Sequence, residues 1–102
     1  MGEIREEWSQ KIYWKNLDPA GLIERLTVRL VKVEPGGEFP LHRDPYSHLF
    51  YIVKGSCEAH LGEDVYRLKS GHIAFVKAGE IHGYINNAEE NTFLLSMNIH
   101  ED

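Results

Sequence analysis

The sequence predicts an all-β sandwich or barrel. Three observations carry that prediction: seven or more short runs rich in apolar, aromatic and β-branched residues, turn residues every several positions between them, and no helical pattern of useful length. Leu22–Glu34 alternates, with Leu26, Val28 and Leu30 on one face and Thr27 and Arg29 on the other, and its phase changes near Val31, which predicts a bulge. Pro35-Gly36-Gly37 ends that strand. His48–Val53 reads as the next strand and closes at Lys54-Gly55. Cys57–Leu61 and Val65–Leu68 flank Gly62-Glu63-Asp64 as a hairpin. Ser70-Gly71 turns the chain into His72–Val76, Ala78-Gly79 into Ile81–Ile85, and Asn86-Asn87 towards a last strand at Thr92–Ile99. Residues 1–20 are less legible: Gly2–Ser9 is compatible with a short helical turn or a loose segment, and Trp8, Tyr13 and Trp14 are aromatics that need cover.

A chain of 102 residues is the size of one domain with its own core, and residues 1–102 read as a single unit without a linker or low-complexity stretch. Eleven basic against sixteen acidic residues give a net charge of −5. There is no basic stripe and no DNA-binding motif, so nucleic acid is not an expected partner. Cys57 is the sole cysteine, which rules out an intrachain disulfide and favours a cytosolic setting. The start MGEIREEW lacks the basic end and apolar core of a signal peptide, and no apolar run is long enough to cross a membrane. A soluble, cytoplasmic protein is expected.

The chemistry concentrates in Gly36–Gly55, which holds His42, Asp44 and His48, and in a second segment, Gly71–Asn86, which holds His82. His42 and Asp44 are two apart, so on an extended strand both leave from the same face, while Pro45 and Tyr46 predict a kink before His48. The spacing Gly36, His42, Asp44, His48, Gly55 and the spacing Gly71, Lys77, Gly79, His82, Asn86 resemble the two motifs of the cupin superfamily with every interval kept. Asp44 stands at a position usually held by histidine, His48 at the usual glutamate, and Lys77 at the usual proline. The resemblance implies a small jelly-roll β-barrel, with the first motif at 36–55 and the second at 71–86, whose interior brings His42, Asp44, His48 and His82 to one metal ion. It resembles small single-domain cupins that hold their metal, often manganese, with four histidines. It also implies homodimers that pair through their sheets, with the Trp8–Trp14 segment placed to cover or swap onto a partner's edge strand.

Imidazoles with one carboxylate suit manganese, iron, zinc, nickel or copper and disfavour calcium and magnesium, which take mostly oxygen. One divalent transition metal per chain is expected, manganese or iron first, zinc or nickel next. Four protein ligands leave a six-coordinate metal two open positions, whereas a tetrahedral zinc is saturated. His42, Asp44 and His82 also spell the two-histidine, one-carboxylate triad of non-haem iron oxygenases. Strand phase sends Phe50 and Ile52 inward with His48 as a dry wall of the ligand-binding pocket. Tyr84 points inward with His82, as a catalytic proton donor or substrate contact, and Asn86 braces a turn. Asp-Pro also starts turns, so Asp44 has a structural reading beside the ligand one. His60, His72 and His100 match no ligand position and read as surface or turn residues, and Cys57 reads as a small apolar filler.

These residues point to a metal-dependent enzyme, dioxygenase-like or an isomerase or decarboxylase, acting on a small oxygenated or aromatic compound. The alternatives are a non-catalytic sensor or carrier of a metal or small molecule, and an interaction scaffold with a structural metal.

Overall fold

A computed structural model describes the backbone of residues 5–7 and 9–100, and the side chains from Lys11 to His100. The described residues form ten strands and no helix: β1 (Arg5–Glu7), β2 (Ser9–Asn16), β3 (Leu26–Val33), β4 (Glu38–His42), β5 (Ser47–Lys54), β6 (Ser56–Leu61), β7 (Asp64–Lys69), β8 (Ile73–Val76), β9 (His82–Ile85) and β10 (Thr92–Ile99). They build a six-stranded sheet in the order β1-β2-β3-β10-β5-β8 and a four-stranded sheet in the order β4-β9-β6-β7. Every pairing is antiparallel. The result is the all-β jelly roll that the turn spacing and the two motifs led us to expect.

Two local expectations are corrected. Arg5–Glu7 is a strand, and Ser9 begins another that runs to Asn16, where the sequence suggested a helical turn or a loose segment over Gly2–Ser9 and left the following residues unassigned (Trp8 lies outside the described residues). Five consecutive pairings with β3, from Ile12 opposite Val33 to Asn16 opposite Arg29, hold β2 in place. Partner hydrogen bonds, rather than the polar local sequence, decide the conformation there, and they bury Ile12 completely. The second correction concerns β3. It pairs with β10 over eight residues without a register shift, from Leu26 opposite Ile99 to Val33 opposite Thr92, so there is no bulge near Val31. Arg29, Val31 and Val33 therefore share one face, and the buried Val31 and Val33 fix it as the inner one. Leu26, Val28 and Leu30 face outward.

The inner face of the larger sheet changes character along its strands. One row joins Val31, Leu94 and Ile52, the next joins Arg29, Ser96, Phe50 and Ala74, and the next joins Thr27, Asn98, His48 and Val76. One end of the barrel is thus a dry core, with Ile12, Val33, Ile52 and Leu94 at 1 % exposure or less, while the other end carries polar groups inside.

In the smaller sheet, Phe39 pairs with Tyr84 and His42 with His82, three residues apart on β4 but two on β9. That extra residue is a bulge at Pro40-Leu41, and proline fits there because it has no N–H to give to the ladder. Without the bulge, period two would send Phe39 and His42 to opposite faces. With it, both point inward. The bulged backbone needs room, and Gly83 leaves it: a Cβ at Gly83 would stand 2.7 Å from the Phe39 carbonyl oxygen and 3.1 Å from the Leu41 nitrogen. The two motifs are clasped at their other ends, where Gly36 N–H donates to the Asn86 carbonyl (2.7 Å) and Asn86 N–H to the Gly37 carbonyl (2.9 Å). The fully buried Asn86 side chain donates to the carbonyls of Val33 and Glu90 and accepts from Ala88 N–H, bracing the turn as expected.

Gly83→Ala is expected to destabilise the fold by about 1–3 kcal/mol through this overpacking, read as a lower midpoint in urea unfolding with an unchanged slope.

Candidate metal centre

Each site histidine is held by its Nδ1. His42 Nδ1 lies 2.8 Å from the Pro40 carbonyl oxygen, inside the bulge. His82 Nδ1 lies 2.9 Å from the Glu80 carbonyl oxygen, in the turn before β9. His48 Nδ1 lies 2.6 Å from Asn98 Oδ1, across the β5–β10 ladder. All three partners are acceptors, so the ring proton of each neutral imidazole sits on Nδ1 and the Nε2 lone pair faces away from that anchor.

The three Nε2 atoms converge on one atom, Asp44 Oδ2, at 2.7 Å from His48, 2.9 Å from His42 and 3.4 Å from His82. A carboxylate oxygen is also an acceptor. Three lone pairs and an anionic oxygen in contact repel one another unless a cation, either protons or a metal ion, stands among them. His82 sharpens the point. Its Nε2 is buried without a hydrogen bond, and its side chain is 2 % exposed. Burial is the main influence on its pKa and lowers it, against the upward pull of the Glu80 carbonyl, so the neutral, ligating form is favoured. A buried acceptor without a donor is costly, and a metal ion satisfies it.

The ligand atoms of His42, Asp44 and His82 all lie within 4.8 Å of one another, the same trio that spells the two-histidine, one-carboxylate pattern. His48 stands outside that tightest trio but makes the shortest contact to Asp44. The residues fit a transition-metal ion: nitrogen donors with locked tautomers, one carboxylate, and no thiolate among them. Strand β4 ends at His42, so Asp44 lies in the connection to β5, where its carbonyl accepts from Gly79 N–H (2.8 Å) while its carboxylate meets the three rings.

The cluster opens on a cleft of about 450 Å³, its solvent-exposed mouth included. Phe50 and Tyr84 line it. Phe50 stacks on His48 at 5.7 Å, and Tyr84 packs against Phe39 at 4.5 Å and Phe50 at 5.5 Å. Ile52 points inward but one row deeper, lining a separate apolar pocket with Cys57 and Leu94. Cys57 is buried there, and desolvation raises its thiol pKa to about 11, which suits a filler and not a nucleophile. His60 lies beside Glu58, His72 accepts from Lys69 N–H, and His100 meets Thr27 and the Tyr46 ring. None of the three joins the Asp44 cluster.

Sequence reasoning missed Arg29, Tyr46, Ser96 and Asn98, which also line the cleft. A signal for Arg29 existed: counting in twos back from Val33 gives Val31 and Arg29, and the supposed bulge concealed it. No comparable signal marked Asn98, whose role depends on β10 lying beside β5.

Comparison with known proteins agrees with this architecture. The model of the "Cupin domain" family matches residues 29–98. No curated protein sequence matches the chain significantly. Among solved structures, the polyketide cyclase RemF from Streptomyces resistomycificus is 21 % identical with a TM-score of 0.84, over 97 % of this chain and 74 % of that one. A protein described as a predicted oxalate decarboxylase from Thermotoga maritima is likewise 21 % identical with a TM-score of 0.84, over 97 % of this chain and 95 % of the other. A sugar phosphate isomerase of the cupin superfamily from Silicibacter pomeroyi is 19 % identical with a TM-score of 0.79, over 89 % of this chain and 60 % of that one. At these identities the likeness is one of fold. With its family match across both motifs, and with a His–Asp cluster enclosed by its two sheets, the chain belongs to the cupin family.

Proposed function

We propose that this cupin is a metal-dependent enzyme acting on a small oxygenated or aromatic compound, through dioxygenase-like or isomerase and decarboxylase chemistry. The observation that carries the reading is the buried Nε2 of His82, without a hydrogen bond, among two more imidazoles and the Asp44 carboxylate at the head of an open cleft. His42, Asp44, His48 and His82 would hold one divalent ion, manganese or iron before zinc or nickel. Such an ion supplies Lewis-acid polarisation of a chelating oxygen pair, or dioxygen chemistry when it is redox-active. The chain's own residues bind and shield. Phe50 and Phe39 give the cleft an apolar wall that excludes water, and Tyr84 places a phenol in it as a proton donor or substrate contact. The solved relatives described as a cyclase, a predicted decarboxylase and an isomerase are compatible with this class of chemistry.

We also propose that two copies pair through the outer face of the larger sheet. Leu26, Val28 and Leu30 of β3, Phe93, Leu95, Met97 and Ile99 of β10, and Leu49, Tyr51 and Val53 of β5 fall there by the alternation of each strand. Ile73 (59 % exposed) and Phe75 (50 %) extend the patch at β8. A continuous apolar sheet face matches a second copy of itself across a two-fold axis. Trp14 sits in β2, paired with β3 of the chain's own sheet and under the Arg29 guanidinium.

Protein purified without added metal or a His-tag is expected to carry about one equivalent of manganese or iron by elemental analysis. His82→Ala and Asp44→Ala are expected to lose it, and oxygen uptake with catechol-like or diketone compounds should follow the metal content. A native protein that binds no metal overturns the reading, and a saturated zinc without turnover leaves the carrier reading.

Metal retention should be full at about pH 7.5 and decline as the pH falls below about 6.5, because protons compete for the imidazole nitrogens. The lowered pKa of His82 keeps that ligand deprotonated to lower pH than an exposed histidine. Equilibrium dialysis against manganese at stepped pH checks the sign, and retention that improves on acidification would contradict it.

Dimer mass in sedimentation at micromolar concentration, converted to monomer by Tyr51→Glu with Phe75→Glu, would support the pairing; a wild-type monomer overturns it.

A further inference from the structure

Strand β10 carries two polar side chains to the cleft, Ser96 and Asn98, two residues apart on its inner face. Asn98 is 6 % exposed, and its amide has two ends to satisfy. Its Oδ1 accepts from His48 Nδ1 at 2.6 Å, and that bond fixes which end of the amide meets the ring. Its Nδ2 carries two N–H donors, and neither has an acceptor among the described residues. Thr27, its neighbour across the ladder on β3, holds its own hydroxyl against His100 Nε2 at 3.0 Å. Ser96 repeats the pattern one row deeper. Its hydroxyl makes no hydrogen bond to a described residue. Its neighbours in the row are Phe50, which is apolar, and Arg29, whose side chain offers donors only.

A donor without an acceptor is costly in a nearly closed interior, and these two side chains border the open space of the cleft. The walls therefore divide by chemistry. The histidines and Asp44 present lone pairs to a cation, while Ser96 and Asn98 present hydrogens. A ligand that satisfies both walls has chelating oxygens for the ion and a further oxygen that only accepts. A carbonyl is such an oxygen: it is neutral and compact, with two lone pairs for two donors. We infer that Ser96 and Asn98 bind substrate and select a small compound with a carbonyl oxygen beyond its chelating pair. Asn98 then acts twice, its oxygen positioning His48 and its nitrogen touching substrate. This rests on the metal-site reading above and narrows it to a ketone-bearing substrate class.

Two probe pairs exchange one carbonyl for a methylene and keep the chelating group: 3′,4′-dihydroxyacetophenone against 4-ethylcatechol, and 2-hydroxy-4-oxopentanoate against 2-hydroxypentanoate. Each is titrated calorimetrically into the manganese-loaded protein under argon, with the metal content measured on the same samples. The ketone is expected to bind about tenfold more tightly than its partner in at least one pair. Ser96→Ala and Asn98→Asp should each reduce that ratio to about threefold or less. The aspartate keeps an acceptor for His48 and loses the N–H donors, so its metal content separates the two roles of Asn98. Thermal unfolding of both variants reports any loss of fold. In the diamagnetic zinc-loaded protein, the Asn98 side-chain amide resonances should move with the ketone and not with its methylene partner. Equal affinities or no binding in both pairs by metal-loaded protein, or a ratio that survives either substitution, overturns the inference. A protein that holds no metal yet prefers the ketones through Ser96 overturns the metal reading alone.

Discussion

The site depends on how three ring protons are placed. The carbonyl oxygens of Pro40, Glu80 and Asn98 each take the Nδ1 side of one histidine, and that leaves three Nε2 lone pairs aimed at Asp44 Oδ2. Two of these anchors are backbone groups within two residues of their histidine, so they form with the local turn. The third, Asn98, comes from a strand fifty residues away in sequence. Acceptors brought together in a low-dielectric interior are unfavourable unless a cation stands among them, and the barrel holds these atoms in place around such a position. The same arrangement is what makes the cluster a receptor for a cation.

The barrel can hold this arrangement because it separates its two tasks along the strands. Rows built from Ile12, Val31, Val33, Ile52 and Leu94 bury apolar area, which at roughly 25 cal/mol per Å² is the main favourable contribution to folding. The rows above them carry Arg29, Ser96, Asn98 and His48 on the same faces. Tyr84 and Phe50 stand at the boundary, packing against the apolar side and opening on the polar one. One extra residue in β4, accommodated by the absence of a side chain at Gly83, then brings His42 level with His82. The two rings end 4.2 Å apart, centre to centre.

Much of this is legible in the sequence. Alternation within strands, turn residues between them and the spacing of the two motifs identified the architecture and the four cluster residues. The phase of β5 placed Phe50 and Ile52 inward, and that of β9 did the same for Tyr84. Less legible were elements whose conformation is imposed by partners. β2 is a polar strand held by β3, and β3 itself carries apolar residues on both faces, so its period cannot say which face is inside. Leu26, Val28 and Leu30 look like a core stripe and face outward; Arg29 looks like a surface residue and lines the cleft.

By itself, then, the sequence determined what is local: where strands stop, which residues alternate together, and at what intervals the histidines and Asp44 recur. Those properties depend on backbone propensity and on a period of two residues, both readable over short windows. Only the tertiary structure decided which side of each strand is the inside, that a bulge turns His42 inward, that Asn98 anchors His48, and that Arg29 and Trp14 share the interior with the His–Asp cluster. Each of these depends on pairing between strands distant in the chain. Burial and hydrogen-bond satisfaction, which select among such pairings, belong to the closed barrel and not to any one segment of it.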